Sequence, residues 1–188
     1  VEAQGEDDHI GRSRSRAMTR FYRNENKLWG DVMLTVDNDI GWQPGDLAHL
    51  ARAALKHDSV VGGIYPKRAF GQGVPIRWKE ATEAAIGSDV VKEAIYVSSG
   101  FMAIPRTIVN KLAVTLPTIV EGKSGLSWLP FFMQITEETE FGLEFLSEDW
   151  SLCSRVLTLG GKVMVDFLPR LVHQGDYVYR LVDTAITL

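Results

Sequence analysis

The 188 residues, 45% hydrophobic and 23% charged, suit one globular domain with a substantial core and exclude a disordered or fibrous chain. A formal net charge of -4 at pH 7 speaks against a general grip on nucleic acid, and the one basic cluster, Arg12, Arg14, Arg16 and Arg20, is local. A single cysteine, Cys153, rules out an internal disulfide and a thiolate zinc cluster, and no apolar stretch approaches the roughly 20 residues of a membrane span, so a cytoplasmic soluble protein is the expectation.

Val1 to Gln4 reads as the end of a strand, followed by an acidic turn at Glu6-Asp7-Asp8. From Gly11 to Asn26, Ala17, Met18, Phe21 and Tyr22 fall at helical spacing and predict a helix whose arginines face solvent. Leu34-Thr35-Val36 is an apolar strand that stops at two carboxylates, Asp37 and Asp39. Pro44 then suits the first turn of a helix, with Leu47, Leu50, Ala51, Ala54 and Leu55 as its apolar stripe. Val60 to Tyr65 is a short buried strand, and strand, helix and strand in so few residues predict a parallel crossover.

Gly71, Gly73 and Pro75 mark a loop through Lys67 to Ser88. Strands are expected at Glu93 to Val97 and Phe101 to Ile104, with a tight turn at Ser98-Ser99-Gly100 between them and a short helix from Arg106 to Leu112. Thr115 to Thr139 has no clear period and reads as loop with short elements. A helix begins at Glu148-Asp149-Trp150 with Leu152, Val156 and Leu159 on one face and Gly160-Gly161 as its stop. Lys162 to Phe167 is a strand, and Leu171 to Gly175 is the last recognisable segment.

Three groups of candidate ligands stand at element ends: Asp37 and Asp39, Glu148 and Asp149, and His173. On an open α/β sheet the carboxyl ends of the strands present ligand groups, and an unpaired buried carboxylate is costly, so the Asp37/Asp39 pair is a candidate site for a hard divalent cation such as Mn²⁺ or Mg²⁺. Each group also has a plain structural use: an Asp/Asn turn, a complement to a helix dipole, and a hydrogen-bonded histidine. Neither a glycine-rich phosphate loop nor a serine nucleophile elbow is present, and Trp78, Trp128 and Trp150 are candidates for stacking on a sugar ring or for the core.

Taken in order, Arg12 to Arg16, Val36-Asp37-Asn38-Asp39-Ile40 with Trp42 and Pro44, Gly62 to Lys67, Ser99 to Met102, Leu146 to Trp150 with Cys153 and Arg155, and His173-Gln174-Gly175 resemble the GT-A-fold glycosyltransferases, in particular the family 2-like enzymes that use nucleotide-sugar donors. The resemblance implies a single domain over residues 1–188 with a mostly parallel twisted sheet flanked by helices. It implies that Asp37 and Asp39 hold the donor ribose and a Mn²⁺ or Mg²⁺ ion, that His173 completes the metal shell, and that Asp149 is the general base on the acceptor hydroxyl. Arg16 would lie near the nucleotide, Ser99 and Gly100 would line the cleft, and Lys67 and Trp150 would touch diphosphate and acceptor. The expected partners are a nucleoside-diphosphate sugar and a carbohydrate or other hydroxyl acceptor. Such domains open with a strand, helix and strand that bind the base, whereas this sequence starts near the second strand. That region is then supplied by a longer chain, by a partner or second copy, or is abbreviated. A non-catalytic glycan- or partner-binding relative and a nucleotidyltransferase are the alternative readings.

Overall fold

The computed structural model describes residues 9–25, 30–68, 73–81, 83–139 and 142–181, with the backbone of 186–187. The strand end at Val1 to Gln4 and the acidic turn at Glu6 to Asp8 lie outside these residues. Four α-helices are among them: α1 (Ile10–Arg23), α2 (Asp46–His57), α3 (Arg106–Ala113) and α4 (Glu148–Thr158). The strands in chain order begin with β1 (Val32–Val36), β2 (Ile40–Gly41), β3 (Val60–Gly63), β4 (Arg77–Trp78), β5 (Glu83–Ala84), β6 (Val91–Tyr96) and β7 (Phe101–Pro105). A hairpin of β8 (Ile119–Glu121) and β9 (Leu126–Trp128) precedes a second of β10 (Thr136–Thr139) and β11 (Gly142–Phe145). After α4 come β12 (Val163–Asp166), β13 (Val172–Gln174), β14 (Val178–Arg180) and β15 (Ile186–Thr187).

The main sheet has the order β1-β7-β3-β12-β6-β4. Only β3 and β12 pair in parallel; the other neighbours are antiparallel, so the expected mostly parallel sheet is corrected to a mixed, mostly antiparallel one. The predicted crossover through α2 does exist. Because β1 and β3 are each antiparallel to β7, they run in the same direction, and β7 is inserted between them. Local pattern specifies a crossover but not which later strand fills the gap it leaves.

Alternation along the central strands explains why they read as unbroken apolar runs. Val60, Met102, Ile104, Val163 and Val165 face one core, which α1, α3 and α4 cover with Met18, Ile108 and Leu152. Val61, Phe101, Ala103 and Met164 face the other, against Leu50, Ala53 and Ala54 of α2. Both faces are thus covered, and side chains of either parity must be apolar. The buried stripe of α2 is rotated from the expected one: Ala53 is buried while Leu55 is 49% exposed. Pro44 lies before the helix, which starts after Gly45 at φ 97°, a conformation that suits glycine.

Residues Leu129 to Phe132, within the segment without a clear period, are buried although irregular. Their backbone N–H groups need partners inside the protein: Phe131 donates to the Leu129 carbonyl, and α1 supplies the other two acceptors. Thr19 Oγ1 accepts from Leu129 N–H at 2.9 Å and Ser15 Oγ from Phe132 N–H at 2.8 Å. Gly11 makes room for this seam, since a Cβ there would lie 2.7 Å from the Phe132 carbonyl oxygen and 3.2 Å from Glu148 Cβ. The start of α1 is thereby pressed against the start of α4.

Candidate functional site

Strands β1, β3 and β12 end at one edge of the sheet, and β7 starts there. Asp37, just past β1, is fixed by its own N–H donating to the Gly100 carbonyl at 2.9 Å. Its carboxylate takes a charge-assisted bond from Arg14, whose other nitrogen, Nη1, donates to Glu148 Oε1 at 2.7 Å. One guanidinium therefore clamps the strand-end aspartate to the first residue of α4, with the Arg14 side chain only 11% exposed. Burial, then the neighbouring Asp149 charge, raise the Glu148 carboxyl above its ordinary value of 4.5.

Asp149 is buried and accepts from four donors. Ser98 Oγ (2.7 Å) and the Ser99 N–H (3.3 Å) reach Oδ2, while the Trp150 N–H (2.8 Å) and the Ser147 hydroxyl reach Oδ1. All the lone-pair sites of a carboxylate are then committed. Asp149 holds the Ser98-Ser99-Gly100 turn onto the start of α4. Gly100 is close to indispensable there: a Cβ would collide with the Tyr65 hydroxyl and stand 3.1 Å from Asp37 Oδ2. Tyr65 Oη accepts the Gly100 N–H at 3.2 Å, and burial raises its phenol.

Asp39 and His173 meet beside this group. The His173 Nδ1–H donates to the Pro66 carbonyl at 2.8 Å, which leaves Nε2 as the lone-pair side of the ring, 3.4 Å from Asp39 Oδ2. The Gln174 N–H donates to the Asp39 carbonyl at 2.7 Å, and β2 and β13 pair antiparallel, so the two side chains are brought together by the sheet itself. A guanidinium lies between them. Arg68 Nε–H donates to His173 Nε2 at 3.0 Å and Arg68 also pairs with Asp39.

The expected metal triad is therefore divided, Asp37 going to Arg14 while Asp39 and His173 go to Arg68. Among the described residues no three His, Cys, Asp or Glu side chains are grouped to hold a metal ion. As arranged, the three expected ligands do not fit Mn²⁺ or Mg²⁺.

The remaining expected residues are placed as follows. Ser99 and Gly100 lie in the turn before β7 and are buried. Arg16 lies away from Asp37, donating through Nε to Glu121 at 3.1 Å in a cluster that also receives the Trp128 indole N–H at 2.9 Å. Lys67 is exposed and adjoins Arg68. Trp150 stacks on Tyr96 at 4.9 Å, with the Arg77 guanidinium 4.9 Å from its ring centroid, so it is packed within the protein. Trp128 is buried, and Trp78 lies 5.7 Å from the Phe167 ring. The exposed tryptophan at the edge is Trp42, 44% accessible and 6.4 Å from the Phe101 ring. Sequence reasoning missed Arg14, Arg68 and Tyr65. For Arg14 a signal was available: it lies four and seven residues before Met18 and Phe21, on the buried face of α1. Cys153 takes no part, since burial pushes its thiol up to about 12.

No protein-family model and no curated protein matches the sequence. Among solved structures the chain is similar to A197 from STIV, with a TM-score of 0.58 and 16% identity over 97% of this chain and 81% of that one. The two share a fold, and at that identity the likeness says nothing of activity. The chain also matches GalNAc-T7, in a crystal structure with UDP, GalNAc and Mn²⁺, at a TM-score of 0.48 and 13% identity over 90% of this chain and 32% of that one. A likeness that low decides neither fold nor chemistry. Among the described residues no helix is long and apolar enough to cross a membrane.

Proposed function

We propose that this chain moves a glycosyl group from a nucleoside-diphosphate sugar to an acceptor hydroxyl. The observation that supports it is the Arg14 clamp, which brings the strand-end Asp37 and the helix-start Glu148 to one edge beside Asp39 and His173. Asp37, Asp39 and His173 are the groups that the sequence resemblance assigns to the donor and its metal, and Glu148 adjoins Asp149, which it assigns to the acceptor; the four side chains come from the turn after β1, from α4 and from β13.

In this reading Asp37, Ser99 and Gly100 seat the donor, and the bond from the anomeric carbon to the diphosphate oxygen breaks as the acceptor oxygen attacks. The diphosphate leaves with the bonding pair, and a carboxylate takes the hydroxyl proton. We assign that proton to Glu148 in place of Asp149. Asp149 has its lone pairs taken by four donors, whereas burial leaves Glu148 partly desolvated with a raised carboxyl, which suits it to accept a proton. Asp149 then acts as a positioning residue for the turn that carries Ser99 and Gly100.

The test is release of nucleoside diphosphate from a panel of nucleotide sugars offered with hydroxyl acceptors, comparing wild type with Asp39→Ala. Turnover by wild type that falls about 100-fold or more in the variant is expected, because Asp39 holds the Arg68 guanidinium that would meet the charge of the leaving diphosphate. Undiminished turnover in Asp39→Ala contradicts the reading. So does glycan binding without any turnover, or pyrophosphate release from a nucleoside triphosphate.

A further inference from the structure

We propose that Arg68 is a built-in cation of the site: a diphosphate-binding side chain seated between Asp39 and His173, where a divalent ion would otherwise bridge those two ligands. This rests on the site being one that receives a diphosphate.

The seat is built rather than incidental. The His173 ring is fixed on one side by the Pro66 carbonyl, 2.8 Å from Nδ1, and it meets Tyr65 edge-on with centroids 5.4 Å apart and planes at 83°. Its Nε2 lone pair is thereby aimed at a cation, and the cation present is a guanidinium, with Nε 3.0 Å away. Asp39 takes a second nitrogen of the same fork. The Arg68 stem passes Gly175, its Cδ 3.5 Å from where a Cβ would stand there.

A guanidinium has five N–H donors in one plane. Two are used here, by His173 and Asp39, which turns the rest of the fork away from them. The side chain is 55% exposed, so those donors open to solvent. Planar forked donors suit phosphate oxygens, and a fork locked by two protein acceptors loses little freedom when an oxyanion arrives. The neighbouring Lys67 is exposed, and its backbone N–H donates to the Gly73 carbonyl at 3.1 Å. A divalent ion and Arg68 compete for the same two ligand atoms, so removing Arg68 uncovers an Asp–His pair whose donor atoms suit Mn²⁺.

Titration calorimetry on the full chain, with pyrophosphate alone in chelator and separately with Mn²⁺ alone, tests this. For wild type, pyrophosphate binding that needs no metal is expected. In Arg68→Met its dissociation constant rises about tenfold or more while Mn²⁺ binds about tenfold or more tighter, changes of the size one charge-assisted contact carries. His173→Gln, which loosens the seat and keeps the arginine, weakens metal-free pyrophosphate binding by a smaller factor. Unchanged pyrophosphate affinity in Arg68→Met, or no binding of pyrophosphate by wild type in chelator, overturns the proposal. Both titrations read binding without turnover. Intact metal-free pyrophosphate binding with no sugar transfer therefore counts against the proposed reaction while supporting Arg68, and transfer that depends strictly on Mn²⁺ does the reverse.

Discussion

Arg14 and Arg16 stand two residues apart on α1, about 200° around the helix, and only Arg14 turns toward the strand ends. Removing Arg14 leaves Asp37 and Glu148 facing each other, both partly buried, with no cation between them. Arg14→Met is expected to cost about 1–3 kcal/mol in urea unfolding, because it strands charges rather than deleting a pair. Arg16→Met removes a pair with Glu121 nearer the surface and should cost less. Equal losses would mean that the clamp is no more than another surface contact. Glu148 adds a pH signature. A base must be ionised to accept a proton, so the acid limb of kcat/KM should lie above 4.5. The stability effect has the opposite sign. With its folded carboxyl raised, Glu148 contributes stability that is fully present below 4.5 and lost as pH rises through the raised value. Glu148→Gln should therefore gain on wild type as pH rises above 4.5, as read by unfolding at each pH.

The elements were largely legible. The apolar period gave α1 and α2, and the carboxylates at a strand end and the Glu-Asp pair at a helix start were visible as such. Strand partners were not, because β7 inserts between β1 and β3 through contacts some forty or more residues away, which no local pattern records. The Leu129 to Phe132 segment was illegible for a related reason: its order comes from hydroxyls on α1, not from a period of its own. Ser15→Ala is expected to cost about 1–3 kcal/mol, since the buried Phe132 N–H loses its acceptor. Gly100→Ala should cost about as much by overpacking against Tyr65 and Asp37, and should also lower activity, because Asp37 has to move. A stable but inactive Gly100→Ala would show that Tyr65 yields more readily than its burial suggests.

For the whole molecule, helices on both faces leave the strand ends as the edge where polar groups gather. Residues remote in sequence reach it because three strands run the same way: Asp37 follows β1, Tyr65 follows β3, and the turn before β7 adds Ser99 and Gly100. The Asp-x-Asp and Glu-Asp pairs were readable as candidates, but their partners were not. Which arginine of a cluster turns inward, and whether Asp39 and His173 hold a metal or a guanidinium, are properties of the assembled edge. The claim that this edge performs sugar transfer with Glu148 as base is tested most directly by single-turnover transfer from a nucleotide sugar that wild type accepts, comparing wild type with the near-isosteric Glu148→Gln and with Asp149→Asn. Glu148→Gln is expected to lose about 100-fold or more of the chemical step without losing stability, while Asp149→Asn loses stability along with rate. Transfer by Glu148→Gln at the wild-type rate would contradict it.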